Sequence, residues 1–155
     1  MARTDILTEL ETDHRVIEAL FSSIHRTRLE DVRREDLLEE VATALARHSA
    51  AEEEYLYPAV REQLAEGDTF VDKEHGGQAR LTAMLRGLES STVYEPGFDA
   101  RVRALEREVG QHVRHEERDV FPMLRHACPL EMLRRLGEQV REGRHGSLRG
   151  PAGEG

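Results

Sequence analysis

HSAAEEEYLYP, residues 48 to 58, and HVRHEERDVFP, residues 112 to 122, decide how this chain is read. Aligned without a gap, both run His-x-x-x-Glu-Glu-x-x-aliphatic-aromatic-Pro. On an α-helix, residues i and i+4 differ by about 40° and lie one turn apart. His48 with Glu52, and His112 with Glu116, therefore each present two donor side chains on one face. The i+7 positions, Tyr55 and Asp119, return to within about 20° of those histidines. Pro58 and Pro122 occupy equivalent places, where each is expected to kink or end its helix. Two other stretches echo each other as Asp13-His14 and Glu74-His75. The chain thus reads as a duplicated helical hairpin, each half ordered as a His helix followed by a His-x-x-x-Glu helix.

Outward from these motifs the periodicity is helical, with no alternating strand pattern. The first helix is expected to start at Thr4 as N-cap, with a seam of Leu10, His14, Ile17, Phe21 and Ile24. The second seam is Leu38, Val41, Leu45, His48, Glu52 and Tyr55, with Gly67 closing that segment. The third carries His75, Leu81, Leu85 and Leu88. The fourth, after SSTVYEPG, runs Phe98, Val102, Leu105, Val109, His112, Glu116, Asp119 and Met123. A fifth helix is expected over about Leu130 to Arg141. The fold class is all-α: an up-down-up-down antiparallel four-helix bundle with a short C-terminal fifth helix. Residues 1–143 form the bundle, and the Gly-rich tail 144–155 is expected to be disordered.

Hairpin geometry brings the histidines together. His14 and His48 are equidistant from residue 31, inside the first connection, and His75 and His112 are equidistant from the Val93–Tyr94 region. Residues equidistant from a turn sit level in an antiparallel pair, so a bundle converges four histidines and two glutamates on one layer. A lone seam histidine is ordinarily a satisfied core residue, but a duplicated set of six polar groups at seam positions is a costly core. An unpaired buried carboxylate costs several kcal/mol or becomes neutral. A metal ion satisfies all six at once, and nitrogen and oxygen donors without thiolate suit non-haem iron, with zinc or manganese compatible. Asp119 and His115 are expected to back a ligand imidazole or face solvent rather than to bind metal. Tyr57 and Phe121 are expected on the far side of their helices, and Glu53, Glu54 and Glu117 on a solvated face.

Composition narrows the function classes. The 155 residues are 34% charged and 38% hydrophobic, with a net charge of -9. That charge offers no basic footprint, so no nucleic-acid partner is expected. No apolar run approaches the roughly 20 residues of a membrane helix, so no membrane partner is expected. The opening MARTDILTELETD lacks the apolar stretch of a secretory signal, which makes the cytoplasm the expected location. The single cysteine, Cys128, excludes a cysteine-based zinc finger and reads as a small buried residue. Of 22 basic residues only Lys73 is lysine, a bias expected of a GC-rich bacterial genome.

The pattern His14, His48-x-x-x-Glu52, His75, His112-x-x-x-Glu116, with its EE-x-x-LYP and EE-x-x-VFP tails, resembles the hemerythrin-like, HHE cation-binding domain over about residues 5 to 127. Hemerythrin relatives are themselves standard examples of the four-helix bundle, so that architecture comes with the resemblance. The resemblance implies two iron ions, oxo- or hydroxo-bridged, with the four histidines as terminal ligands and Glu52 and Glu116 bridging or chelating. The sequence departs from the oxygen carriers of the family. They have a His-x-x-x-His pair on the third helix, whereas the residues four away from His75 are Val71 and Ala79. The closing carboxylate, Glu116, stands at i+4, where carriers have an aspartate at i+5. Tyr55 is the expected replacement for the missing imidazole, and a phenolate would favour Fe(III) and oppose reversible O2 carriage. The expected function is therefore O2 or peroxide binding and reduction, catalase-like, within an oxidant or iron response. The small-molecule partners would be O2, H2O2 or NO. The rival readings are a module that senses iron, O2 or NO without turnover, and a structural zinc bundle. The first is disfavoured by a C-terminus that reads as a short helix and a Gly-rich tail.

Overall fold

The computed structural model describes residues 4–148, and among the described residues every regular element is a helix. Helix α1 (Ile6–Arg26) is capped by Asp5, whose side chain accepts the Thr8 N–H at 2.9 Å. Thr4, the expected cap, instead donates its hydroxyl to Glu9 at 2.6 Å. After Ile6 at its start, the buried residues of α1, Leu7, Leu10, His14, Ile17, Phe21 and Ile24, follow steps of three and four. Arg34, buried near the start of α2 (Arg33–Ala51), donates to the Ile24 carbonyl at 3.2 Å and to Asp99 at 3.0 Å. The Ile24 carbonyl thereby accepts twice at the end of α1, from Arg34 and from the Thr27 N–H at 3.1 Å.

Neither internal proline ends or sharply breaks its helix. Helix α2 passes through a π-helical turn, Glu52–Leu56, into α3 (Tyr57–Gln63). Likewise α5 (Phe98–His115) passes through Glu116–Val120 into α6 (Phe121–Ala127). The Tyr57 N–H bonds the Glu52 carbonyl and the Phe121 N–H bonds the Glu116 carbonyl, each five residues back. A proline supplies no N–H to the carbonyl four residues earlier, and its ring crowds that oxygen. Widening the turn by one residue relieves both problems, so Pro58 and Pro122 sit in the first turn of α3 and α6. The duplication extends to the backbone: both wide turns begin at the glutamate of the His-x-x-x-Glu motif.

Helix α3 ends at Gln63 with Leu64 extended, and Gly67 opens α4 (Gly67–Glu89) rather than closing the preceding segment. Gly97, at φ 84, precedes α5 in the left-handed region that glycine adopts freely. Helix α7 (Leu130–Leu148) is longer than expected, running past Arg141 into the stretch expected to be disordered. It is tied to the start of α1 by Arg141, which donates to the Thr4 carbonyl at 2.8 Å and to Glu9 at 2.7 Å. A Cβ at Gly137 would lie 2.6 Å from that carbonyl, so only glycine lets the two segments approach. The remainder of the expected tail, residues 149–155, and residues 1–3 lie outside the described residues.

The four arms are α1, the α2–α3 rod, α4 and the α5–α6 rod, with α1 packed on α2 and α4 on α5. Their apolar interior falls into two clusters. One gathers Ile6, Leu10, Tyr57, Val60, Phe121 and Leu124, with Leu133 and Val140 of α7. The other gathers Ile17, Phe21, Val41, Leu81, Val102 and Leu105. His14, His48, Glu52, Glu74 and Glu116, all buried, lie at intermediate positions along their helices. No described helix is long and apolar enough to cross a membrane.

Candidate metal centre

The polar layer is built around one carboxylate. Glu116 Oε1 receives three imidazole nitrogens: His14 Nε2 at 3.0 Å, His48 Nε2 at 3.3 Å and His112 Nε2 at 2.9 Å. Glu52 stands beside it, with Oε1 3.0 Å from His48 Nε2 and 3.4 Å from His112 Nε2. Two overlapping groups of donor atoms result, each confined within 4.8 Å. One is His14, His48, His112 and Glu116; the other is Glu52, Glu74, His112 and Glu116.

Each inward imidazole is gripped from behind. The Nδ1 of His14 lies 2.8 Å from Glu117, that of His48 lies 2.9 Å from Asp13, and that of His112 lies 3.1 Å from Glu74. A carboxylate behind Nδ1 holds the proton there and leaves the Nε2 lone pair facing inward, the arrangement that orients metal-ligating histidines. These supports are themselves anchored. Arg15 pairs with Glu117, and Arg144 of α7 forks onto Asp13 at 2.9 and 2.7 Å.

The electrostatics describe a site built for cations. Burial works to raise the Glu116 carboxyl, but the charge of His112 and hydrogen bonds from its neighbours hold it well below the usual range. Burial likewise opposes charge on His48 and His112. The carboxylates beside them nevertheless raise His48 well above its ordinary value and push His112 up to about 11. Glu74 is pushed up to about 8 by burial and by the charge of Glu116. Even so, Oε2 of both Glu52 and Glu116 is buried without a hydrogen-bond partner, and Oε1 of Glu52 meets only imidazole nitrogens in poor hydrogen-bond geometry. Buried carboxylate oxygens are costly in that condition. Lone pairs left over on two carboxylates, facing three imidazole Nε2 atoms, fit one or two metal ions.

His75 and Tyr55, both expected among the ligands, stand apart. His75 is 39% exposed, and its Nε2 meets Glu53 at 2.8 Å. The face of α4 that points inward is set by Val71, Glu74, Leu81 and Leu88, and His75 is one residue, about 100°, off it. Burying His75 would rotate those aliphatic residues into water. The echo between Asp13-His14 and Glu74-His75 therefore survives in the acids alone: Asp13 backs His48 as Glu74 backs His112. Tyr55 lines a hollow with Ala51, Val140 and Gly143 on the α7 side. The π turn is the cause, because five rather than four residues separate Glu52 from the residue above it. That residue is Tyr57, whose hydroxyl donates to Glu74 at 3.4 Å and accepts from Gln78 at 2.8 Å. Phe121, five after Glu116, likewise turns inward and stacks on His14 with centroids 6.0 Å apart. Neither aromatic lies on the far side of its helix. Glu117, expected on a solvated face, is drawn in behind His14. His115 lies at the edge, its Nδ1 3.3 Å from the exposed Asp119 and its Nε2 3.7 Å from Glu74.

Comparison with known proteins agrees with this geometry. The family model described as the hemerythrin HHE cation-binding domain matches residues 5–124. A DNA nickase from Nostoc sp. is 30% identical over 116 residues, covering 75% of this chain and 32% of that protein. The chain thus spans about a third of that relative's length. Among solved structures, a hemerythrin HHE cation-binding domain-containing protein from Mycobacterium kansasii, a homologue of Rv2633c, superposes with a TM-score of 0.81. Its sequence identity is 23%, and the match covers 95% of this chain and 88% of that one. With donors converging on a buried layer and a family match over most of its length, this chain belongs to the hemerythrin HHE cation-binding domain family.

Proposed function

We propose that the layer holds two iron ions and that the protein binds and reduces O2 or peroxide in the cytoplasm, with catalase-like turnover of H2O2 as the leading activity. The observation that carries the reading is the pair of overlapping donor groups sharing His112 and Glu116, together with the unsatisfied oxygens of Glu52 and Glu116. His14, His48, Glu52, His112 and Glu116 are the proposed ligands, with Glu74 replacing the expected His75 and no ligand role for Tyr55. Bound iron would supply one- and two-electron chemistry toward an oxygen substrate.

The chain's own residues supply orientation and protons. Asp13, Glu74 and Glu117 hold the Nδ1 protons and so fix where each Nε2 points. Glu74 sets one carboxylate oxygen against the Nδ1 of His112, 3.1 Å away. Tyr57 donates a hydrogen bond to that carboxyl and, buried, keeps water off it. The donor set of three imidazoles and three carboxylates is richer in carboxylate than the imidazole-rich set expected from the sequence. Hard anionic donors favour Fe(III), which argues against reversible O2 carriage.

The test is anaerobic Fe(II) loading followed by oxidation, a visible spectrum and H2O2 addition on an O2 electrode. Charge-transfer absorption and O2 evolution are expected. A spectral change without turnover would favour a sensing module. Exclusive retention of zinc would favour a structural bundle, and no retained metal would overturn the reading.

A further inference from the structure

The metal layer is sealed on most sides. Glu52 and Glu116 have no exposure, and His14 and His48 have almost none. His112 is the exception, with 9% of its side chain exposed. That exposure faces a cleft of about 180 Å³ between α4 and α5, lined by Glu74 and His112 together with Gly77, Leu81, Gln111 and His115. The cleft is smaller than the roughly 300 Å³ at which pockets for organic ligands begin. Two features shape its mouth. Gly77 presents no side chain, and a Cβ there would meet only the guanidinium of Arg80, 3.8 Å away. Arg80 itself crosses to α5, where its Nε donates to Glu108 at 2.8 Å. Inside, the Nε2 of His115 faces Glu74 at 3.7 Å, beyond hydrogen-bond reach.

We propose that this cleft is the entrance to the metal layer. It admits a small oxidant the size of O2 or H2O2 past Gly77, beneath the Arg80–Glu108 strap, and excludes bulky organic hydroperoxides. The inference rests on the reading of the layer as a site of small-molecule redox chemistry. The entrance itself is a property of the fold and exists whether or not metal is bound. A narrowed passage raises the barrier to entering and leaving alike, so rates change while the equilibrium constant does not. Damage to the layer would change the equilibrium constant.

Two variants act in opposite senses. Gly77→Leu fills the cleft from a helical position where a side chain has open space, and replacing a helical glycine is not itself destabilising. Arg80→Ala removes the strap. The first measurement uses the metal-free protein, with dissolved O2 as a paramagnetic probe of methyl relaxation. In the wild type, Leu81 in the cleft wall should relax faster with O2 than the equally apolar Leu105 of the closed core, and Gly77→Leu should abolish the difference. A bulky nitroxide should leave Leu81 unaffected in the wild type. The second measurement uses the iron-loaded protein and stopped-flow azide binding. Gly77→Leu should slow association and dissociation together by about tenfold or more, Arg80→Ala should speed both, and Kd should stay unchanged. Equal O2 effects at Leu81 in the wild type and Gly77→Leu, or azide rates unmoved by either variant, would overturn the entrance. Failure to load iron would defeat the proposed function and leave the O2 measurement to decide the entrance on its own.

Discussion

Glu74 and His75 are neighbours in the chain, and their roles are separated by one step of a helix. Glu74 is buried against His112, and His75 sits at the rim against Glu53. His75→Ala should therefore retain the wild-type metal content, whereas Glu74→Ala should weaken binding by about 100-fold or more, because it removes a proposed ligand together with the carboxylate behind His112. Metal titration with a competing chelator reads both. Protons give a second prediction. His112, raised from 6.5 to about 11 in the metal-free fold, contributes stability that is complete below 6.5 and lost as pH climbs toward 11. Glu74, raised from 4.5 to about 8, adds a loss between those values, because the unfolded chain releases that proton first. Both act in one direction, so the Tm of the metal-free protein should fall between about pH 6 and about pH 9. A scanning calorimetry series that rose over that window would contradict the protonation pattern. The inward positions of His14, His48, Glu52, His112 and Glu116 were legible from spacing alone. Glu74 was legible too, because Gly67, Val71, Glu74, Gln78, Leu81, Leu85 and Leu88 form an unbroken stripe in steps of four and three. His75 is six residues from Leu81 and fits no such stripe; the echo of Asp13-His14 points to the exposed member of the dipeptide, and the stripe to the buried one.

At the scale of elements, the two π turns decide which aromatics face the layer. Spacing counted at 3.6 residues per turn brings Tyr55 inward; one wider turn brings Tyr57 there instead. Nothing in the composition of EEEYL or EERDV announces a π turn, although a proline six residues after a buried glutamate, repeated in both halves, marks where the α-helical bonding must be interrupted. Tyr57→Phe leaves Gln78 without its acceptor and takes one of two donors from Glu74. It should cost about 1–3 kcal/mol of stability in urea unfolding, whereas Tyr55→Phe should cost far less and leave the visible spectrum of the iron-loaded protein unchanged. Helix α7 has a comparable reach. Arg144 holds Asp13, Asp13 holds His48, and the hydrogen bonds from His48 and Arg144 keep the Asp13 carboxyl below its usual range although burial opposes them. Arg144→Gln should weaken metal binding and shift its charge-transfer absorption, with Arg144→Lys restoring part of both. A purely packing role for α7 would lower stability and leave the spectrum in place. The extent of α7 was not legible because its last turns, EGRHGSL, are poor in helix formers; the contact of Arg144 with α1 supplies what propensity does not.

For the whole molecule, the modest hydrophobic fraction follows from a core divided in two. Each cluster is apolar, and between them lie imidazoles and carboxylates that satisfy one another only in part. A bound metal offsets that negative charge and ties all four arms together, so its removal should lower the Tm markedly. The central claim is that this layer holds two ions through His14, His48, His112, Glu52, Glu74 and Glu116. Elemental analysis after anaerobic Fe(II) loading and desalting tests it most directly, applied in parallel to the wild type and to Glu116→Ala. About two iron ions per chain are predicted for the wild type and less than half of that for the folded variant. A wild type that retains no iron, or a Glu116→Ala variant that retains as much as the wild type, would contradict it.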